Sequence, residues 1–384
     1  MSQAQATEKE KLEPETLRAK LEHWLRDVNE PDRVYTKNKK IEVVFLLEAV
    51  NAILPRTEGV EDITLFKIPG TEYEVPAILP EKLQAVSRRD MLSYLRSYRD
   101  KQNKENKELR TYLKKLSVVY KGSEGKGKEK KEILVGFKKA KDELWNCYIQ
   151  PPSGEETDVG MDGFCPACAL FGTVLDSSKI EGVGNISVGV KSRVEFDPAI
   201  AISDRKVSVI GLTHNKVSDG VSWTGQSLFT EQHVLPGTVF VGKVTLEDVT
   251  EPELKAFLAV LSAIDRLGGR ESVFGGVRVH LVGVRGGSYE TVSALELAKA
   301  LVAEYGEKLP NVGTVAEKLK ETLKGKGFIV NVNQENFRKI VDDSNTWNDL
   351  WRSTLIYDKQ VLERVLQLGR EEKKYEEAEE WKKQ

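Results

Sequence analysis

Cysteine and histidine are scarce in this 384-residue chain, which has three of the former and four of the latter. Three cysteines cannot all pair with one another, so a small disulfide-stapled scaffold is excluded. Long apolar runs are also missing, and without about eighteen consecutive apolar residues no membrane-spanning helix is expected. Residues 1–15 hold no apolar stretch of the kind that a secretory signal needs. The sequence therefore predicts a cytoplasmic protein that does not contact a membrane.

The common catalytic motifs are absent as well. No histidine pair has the H-E-x-x-H spacing of a zinc protease, and no G-x-x-x-x-G-K-[ST] phosphate loop occurs. Gly182–Gly184 and Gly286–Gly287 lack the strand, turn and helix of a dinucleotide site. Asp342 and Asp343 stand at a charged helix end, where carboxylates usually face solvent. These absences favour a protein that is not an enzyme.

A strong net charge is also lacking, because 58 Lys and Arg against 60 Asp and Glu leave −2. That balance gives no global sign of nucleic-acid binding. The charge is uneven, however, since ten lysines and three acidic residues stand between Lys114 and Lys141. The glycine-rich part of this segment suits a solvated flexible loop or a basic arm that contacts phosphates. The lysines proposed for phosphate contact are Lys126, Lys128, Lys130 and Lys131.

The first half of the chain alternates helical and strand-like segments. Leucines at helical spacing predict an amphipathic helix over 8–30. A β-branched apolar run predicts a buried strand from about Ile41, and the Gly- and Pro-rich residues 58–80 suit a loop or short hairpin. A long helix is expected to follow, with Pro80 in its first turn.

The second half begins with a strand-dominated region over 183–290. One helix with a glycine stop interrupts it at 251–269, so strand, helix, Gly-rich turn and strand follow one another. That order is one half of a ferredoxin-like or RRM-like unit, with antiparallel strands packed on helices. Further helices are expected near 291–305, 314–324, 335–342 and 358–382. The predicted fold class is α+β.

The cysteines form the sharpest chemical pattern. Cys165 and Cys168 make a C-P-A-C pair, a spacing that lets two thiolates bind one tetrahedral metal ion, and Cys147 supplies a third. His233 is the preferred histidine to complete a Cys₃His zinc site, and His214 and His280 are the alternatives. The alternatives are buried thiols or a redox-active pair, the latter disfavoured because no βαβ pattern flanks it. A deaminase is disfavoured because the proline lies inside the pair and no histidine has glutamate two places on.

Arginines near strand ends and glycine turns are the other candidate site. Arg56 follows the first strand, and Arg270 lies in the Gly-rich turn before a later strand. Arg88 and Arg89 follow Ser87 at what is expected to be the opening of a helix, where guanidinium and unbonded backbone N–H groups can meet one phosphate. Contacts of this kind hold a nucleic-acid backbone without reading its bases. A surface ion pair is the alternative for each arginine taken singly.

Three stretches in one order resemble a known family. They are F-C-P-A-C-A-L-F-G at 164–172, E-Q-H-V-L-P-G-T-V-F at 231–240 and R-L-G-G-R-E-S-V-F-G-G-V-R-V at 266–279. The last resembles the Gly-rich signature of the RAMP superfamily of CRISPR proteins. With R-T-E-G at 56–59, the set is similar to the backbone subunit of type I-D CRISPR interference complexes.

The resemblance implies a modified ferredoxin-like or RRM-like core that carries inserted lid, zinc-binding and helical regions. The resemblance spans roughly 35–290. With the helical patterns outside that range, the predicted divisions are an N-terminal helix in 1–34, the core in 35–290 with a helical and basic insert at 81–141 and a zinc-binding insert at 142–182, and a C-terminal helical region in 291–384. Zinc would be held by Cys147, Cys165 and Cys168 with a histidine.

The resemblance also implies a function. Such subunits assemble side by side on the CRISPR RNA (crRNA), with other subunits of the complex, and hold it sequence-independently while its bases pair with target DNA. Arg56 and the Arg88–Arg89 pair would contact the RNA backbone, and the basic insert at 121–141 would be a finger or lid.

Catalysis is where the sequence departs from related proteins. Related type III subunits cut RNA with an aspartate in the loop after the first strand, whereas the nearest acids here are Glu58, Glu61 and Asp62, without a sign of a metal partner. We therefore expect no cleavage. A metal-dependent RNA-processing nuclease and a zinc-stabilised scaffold that binds no RNA stay open as alternatives.

Overall fold

A computed structural model describes residues 11–55, 63–105, 120–124, 131–135, 165–176, 187–215, 228–268 and 273–358, together with 360, 361, 364 and 367. Within them the chain is a mixed α+β structure built on an antiparallel sheet, which confirms the predicted class. No helix in these ranges is long and apolar enough to cross a membrane.

The strands alternate between one large sheet and three hairpins. In chain order they are β1 (Lys40–Ala49), β2 (Leu65–Lys67), β3 (Glu74–Ile78), β4 (Tyr120–Glu124), β5 (Lys131–Val135), β6 (Thr173–Asp176), β7 (Ser187–Val190), β8 (Val194–Phe196), β9 (Ala199–Ala201), β10 (Val209–Asn215), β11 (Leu228–Val234), β12 (Val239–Glu247) and β13 (Val277–Gly287). Among the described residues the large sheet has seven strands, in the order β13-β1-β12-β9-β3-β2, with β8 also pairing with β12. The hairpins are β4–β5, β6–β7 and β10–β11.

The helices cover this sheet and its edges. They are α1 (Leu17–Leu21), α2 (Pro80–Glu105), α3 (Pro166–Phe171), α4 (Arg205–Ser208), α5 (Glu251–Ala263), α6 (Ala294–Tyr305), α7 (Val312–Lys324) and α8 (Gln334–Lys339), with 3₁₀ turns at Glu22–Trp24 and Ile340–Asp342. Residues 344–358 are also helical, and we call them the C-terminal helix. α5 packs on α2 and α8, α6 packs on β12, and α7 packs on β13.

The two inner strands, β1 and β12, hold the centre of the core. Nearly every residue of both is buried, including charged residues such as Glu42 and Lys243, as in strands covered on both faces. Their antiparallel register runs from Lys40 opposite Glu247 to Glu48 opposite Val239. α5 then carries the chain from β12 to β13 and begins with a capping box between Thr250 and the residue three positions later.

A buried carboxylate links the N-terminal segment and the C-terminal helix to this core. Glu253, in the first turn of α5, is fully buried, with Oε1 3.0 Å from Arg33 Nη2 and 2.7 Å from Arg193 Nη2. Arg33 also donates to the Ser353 carbonyl oxygen at 2.7 Å. The Tyr357 ring centroid lies 5.4 Å from the guanidinium carbon of Arg33 and 4.7 Å from that of Arg193. The N-terminal segment and the C-terminal helix are therefore fixed to the same helix start.

The predicted elements are confirmed in most of the described chain. The strand expected from Ile41 is β1, the expected hairpin includes β2 and β3, and the helix predicted at 251–269 is α5. Those predicted near 291–305, 314–324 and 335–342 are α6, α7, and α8 with its 3₁₀ turn. The helix at 344–358 begins well before the one predicted at 358–382, most of which lies outside the described residues.

The N-terminal segment differs from the predicted helix over 8–30. Its described part holds only the five-residue α1 and one 3₁₀ turn. Its backbone pairs with distant segments instead: Leu12 forms a bridge with Val332, and Arg26 forms one with Thr250. A segment whose backbone is hydrogen-bonded to remote segments cannot continue as a helix, so tertiary pairing overrides the local pattern here.

Candidate functional site

Three backbone segments meet at the end of the sheet where β1 finishes. Val50 N donates to Gly276 O at 2.8 Å, and Gly275 N donates to Ala52 O at 2.8 Å. Ile53 exchanges hydrogen bonds of 3.1 and 2.8 Å with the last residue of β11. The chain after β1, the Gly-rich segment before β13 and the β11–β12 turn therefore form one layer, which we call the β1 end.

Glycine is required at two positions of this layer. Gly275 has a φ of 84°, and a Cβ there would overlap the Leu267 carbonyl oxygen. Gly268 has a φ of 110°, and its Cβ would stand 3.2 Å from the Leu54 carbonyl oxygen. Positive φ is readily adopted only by glycine. The Gly-rich motif thus has a backbone reason, because it lets this segment lie directly against the chain that follows β1.

Two predicted arginines follow this contact in the sequence. Arg56 comes two positions after Leu54, and Arg270 comes two positions after Gly268. Both arginines lie outside the described residues, whereas Leu54 and Gly268 are described and in contact. The structure therefore brings together the chain positions that lead into the two arginines.

A cavity of about 320 Å³ opens beside the β1 end, lined by the end of α5, the start of β13 and α8. Its charged lining residues are all exposed: Asp265, Arg266, Arg278 and Arg338. Sequence reasoning missed these arginines. Arg266 and Arg278 lie within the 266–279 stretch that carries the Gly-rich motif, and this position in the sequence could have indicated them. Nothing in the sequence links Arg338 to that motif.

The elements behind the cavity bring further charge close to it. Burial raises the pKa of Tyr94 in α2, and the carboxylates of Asp90 and Asp265 raise it further, whereas Arg338 acts to lower it. The Tyr94 ring stacks on Trp347 of the C-terminal helix, with 5.8 Å between centroids. Tyr94 therefore links α2 to the C-terminal helix, and the charges of Asp265 and Arg338 act on its pKa.

The histidines considered as zinc ligands lie in different surroundings. His233 is buried at the β1 end, with Nδ1 3.2 Å from the backbone carbonyl two residues earlier and its ring 4.6 Å from that of Phe274. His280 Nε2 lies 3.1 Å from Glu48 Oε2. Of His214 only the backbone, in β10, is described. Among the described side chains, those of His233 and His280 lie apart from one another, with different partners.

The C-P-A-C pair is buried at the start of α3. Cys165 caps this helix, and its Sγ accepts from Cys168 N at 3.3 Å, so the two cysteines belong to one tight turn. Over the described ranges, however, no group of three or more His, Cys, Asp or Glu side chains is arranged to hold a metal ion, so His233 does not join the pair. Cys147 lies outside those ranges.

The prediction that Ser87, Arg88 and Arg89 open a helix is wrong. α2 begins at Pro80, whose fixed φ suits a first turn, so the arginines lie in the helix interior. Arg88 is half-buried, with Nη2 3.5 Å from Cys168 Sγ, while Arg89 is exposed. The unbonded N–H groups that would have completed a phosphate site are therefore not at these positions.

The basic insert is described only in part. β4 and β5 pair as a two-stranded antiparallel sheet, and Lys131 is the first residue of β5. The other predicted lysines lie outside the described residues: Lys126, Lys128 and Lys130.

Fold and site together define an antiparallel α+β protein whose sheet ends in a glycine-supported layer beside an arginine-lined cavity. The family model described as Csc2 Crispr matches residues 21–367, and the chain belongs to this Csc2 CRISPR family. The resemblance to CRISPR proteins noted from the three motifs is confirmed at this level.

A solved structure agrees with this assignment. The crystal structure of Thermofilum pendens Csc2 is similar at 35% identity and a TM-score of 0.65, over 91% of this chain and 98% of that one. Two structures described as a CRISPR RNA-guided surveillance complex, one of them pre-nicking, match at 12% and 10% identity with TM-scores of 0.41 and 0.39. They cover 74% and 75% of this chain, and 89% and 84% of their own, but are too distant to define the fold. No curated protein matches.

Proposed function

We propose that this protein binds crRNA sequence-independently, as the repeating backbone subunit of a type I-D CRISPR surveillance complex. The observation that carries the proposal is the β1 end, where Leu54 meets Gly268 and the chain leads into Arg56 and Arg270. Arginine guanidinium groups carried by a glycine-rich backbone are suited to contact phosphates. Phosphate contacts can hold RNA of any sequence. Membership in a CRISPR family makes crRNA the RNA to test.

The strand order supports a ferredoxin-like core and membership in the RAMP superfamily. Taken in chain order, β1, α2, β9, β12, α5 and β13 follow the βαββαβ plan of that unit. β1 and β12 are the inner strands between β13 and β9, as the plan requires. On this proposal the remaining hairpins and helices are inserts and additions, including the basic β4–β5 hairpin as a finger or lid.

The proposed partners are crRNA, further copies of this chain along it, other subunits of the complex, and target DNA that pairs with the guide. The protein itself is proposed not to cleave RNA. Arg89 and the lysines of the insert are proposed as further backbone contacts: Lys126, Lys128, Lys130 and Lys131. Arg88 is a weaker candidate than the others because its guanidinium is directed at the buried Cys168.

We expect the purified protein to bind labelled RNAs of unrelated sequence with similar affinity, and to bind more weakly as salt rises. For single strands the logarithm of affinity falls by about 0.7 per logarithm of salt for each phosphate contact. Arg56→Ala and Arg270→Ala should each weaken binding to every RNA alike and reduce this slope. Filter binding over a range of salt concentrations measures both quantities.

The matched control is Arg205→Ala, which removes an exposed arginine whose described partner is Glu74, away from the β1 end. It should leave affinity and slope unchanged. Incubation with Mg²⁺ should leave the RNA intact; cleavage would instead support the nuclease alternative. A protein that shows no salt-dependent RNA affinity would be the scaffold, and the proposal would fail.

A structural zinc ion is the second part of the proposal, held by Cys147, Cys165 and Cys168 with a fourth ligand. The fit rests on the adjacent thiols at the start of α3. Bound zinc contributes folding free energy directly. Since the described structure groups neither His233 nor His280 with the cysteine pair, the fourth ligand is sought first at His214.

The untagged protein is expected to contain one zinc ion per chain by elemental analysis. Cys165→Ser should lose that zinc and melt at a lower temperature, because structural zinc stabilises only the folded chain. Thr173→Ser, a conservative change just beyond α3, should keep both zinc and melting temperature. Zinc retained in full by Cys165→Ser would rule out this site.

A further inference from the structure

The cavity beside the β1 end assembles positive charge from segments far apart in the sequence. Arg266 follows α5, Arg278 lies in β13, and Arg338 comes from α8 in the C-terminal region. These three guanidinium groups share the lining with one carboxylate, Asp265, so positive charge is in excess. Arg278 is also 3.5 Å from Glu48, which directs its guanidinium without removing it from solvent.

The remaining lining is small and held in place. Asn51 Oδ1 accepts from Gly276 N at 2.5 Å, and a Cβ on that glycine would stand 3.0 Å from the amide group of Asn51. Val277 and Val279 form part of the buried floor. Arg278 projects from the central sheet and Arg338 from α8, while Arg266 lies in the connection between α5 and β13, where it forms a bridge with Gly276.

The chemistry of this lining selects an anionic ligand with several oxygen acceptors. A guanidinium presents paired N–H donors that match phosphate oxygens, and three arginines line this cavity. None of the described lining residues is aromatic, so the stacking platform by which single-stranded bases are usually held is not present there. A volume of about 320 Å³ admits a phosphodiester with its sugar.

We infer that this cavity is a phosphate-binding site for the RNA backbone, built by Arg266, Arg278 and Arg338. The inference rests on the proposed RNA-binding function and extends it to the C-terminal region, which supplies Arg338. The RNA would pass from the β1 end, where Arg56 and Arg270 are proposed to bind it, to the neighbouring cavity. Both contacts would be to phosphates, in keeping with binding of any sequence.

The test compares Arg338→Ala and Arg338→Lys with the wild type in RNA binding over a range of salt concentrations. Arg338→Ala should lower the affinity several-fold for all RNA sequences and reduce the salt slope by about 0.7, the share of one phosphate. Arg338→Lys should restore the slope and part of the affinity, because it keeps the charge and loses the paired donors. Arg352→Ala, an exposed arginine of the C-terminal helix outside the cavity lining, should behave as the wild type.

The outcomes separate this inference from the function on which it rests. If the wild type binds RNA and Arg56→Ala weakens it, but Arg338→Ala leaves affinity and slope unchanged, the cavity is not a phosphate site and an acidic protein segment becomes the ligand to seek. If the wild type binds no RNA, the proposed function itself fails. An effect of Arg338→Ala that depends on base sequence would also overturn the inference, since it would indicate a base contact. Melting curves of both Arg338 variants check that the fold is intact.

Discussion

Replacing Glu253 by glutamine is expected to destabilise the protein by about 3–5 kcal/mol, the usual loss when one partner of a buried ion pair is removed. Glu253 is fully buried and contacts Arg33 and Arg193, which are themselves almost fully buried. A neutral amide of the same shape would leave both guanidinium groups without their counter-charge. It would also weaken the capping box with Thr250, whose backbone N–H donates to Glu253 Oε2 at 2.8 Å. Urea unfolding of both proteins at pH 7 measures the difference.

The Glu253 carboxylate should also make the stability of the protein depend on pH. Burial alone would raise the pKa of Glu253, but the charges of Arg193 and Arg33 outweigh it and lower the pKa from 4.5 to about 2. A depressed pKa means that its contribution is complete above pH 4.5 and is lost as the pH falls towards 2. Glu253→Gln should therefore lose less stability than the wild type over that interval. Glu251→Gln, two residues earlier and partly exposed, is the control and should change stability little. Parallel pH curves for the wild type and Glu253→Gln would contradict the assigned pKa.

Elements whose stability comes from local pattern were predictable from the sequence. α5 has its capping residues and an apolar sequence within one segment, although it ends at Ala263, before the predicted glycine stop, and β1 is a largely apolar run with a β-branched start. The segment over 8–30 failed because its partners are remote: Arg26 N donates to Val249 O at 2.9 Å, more than two hundred positions away. The local spacing of its leucines contains no information about that contact.

The candidate site divides in the same way. The Gly-rich stretch could be recognised from the sequence because only glycine readily adopts the positive φ found at Gly268 and Gly275. The cavity arginines could not be recognised in this way, because the sequence does not distinguish a charged residue that faces bulk solvent from one that lines a concave surface. Arg33 and Arg193 show the converse, since composition alone assigns arginine to the surface and only the fold reveals that they are buried around Glu253.

The second large effect is expected at Gly275, where alanine should both destabilise the protein and weaken RNA binding. A φ of 84° is strained for alanine, and its Cβ would meet the Leu267 carbonyl, a backbone atom that cannot swing aside. Strain of about 1–3 kcal/mol and overpacking of similar size together predict a loss of about 2–6 kcal/mol. Gly189→Ala is the control, because a Cβ at Gly189 meets nothing within 4 Å. It should cost little in the same urea titration.

RNA affinity then tests whether Gly275 acts through the site or only through stability. Gly275 N donates to Ala52 O, so moving this backbone displaces the chain between β1 and Arg56 as well as the segment that leads to Arg270. Measured at a temperature where the variant is still folded, Gly275→Ala should bind every RNA more weakly than Gly189→Ala does. No charge has been removed, so its affinity loss would come from misplaced arginines. Wild-type affinity in a folded Gly275→Ala protein would mean that RNA is held elsewhere, and the β1 end would lose its proposed role.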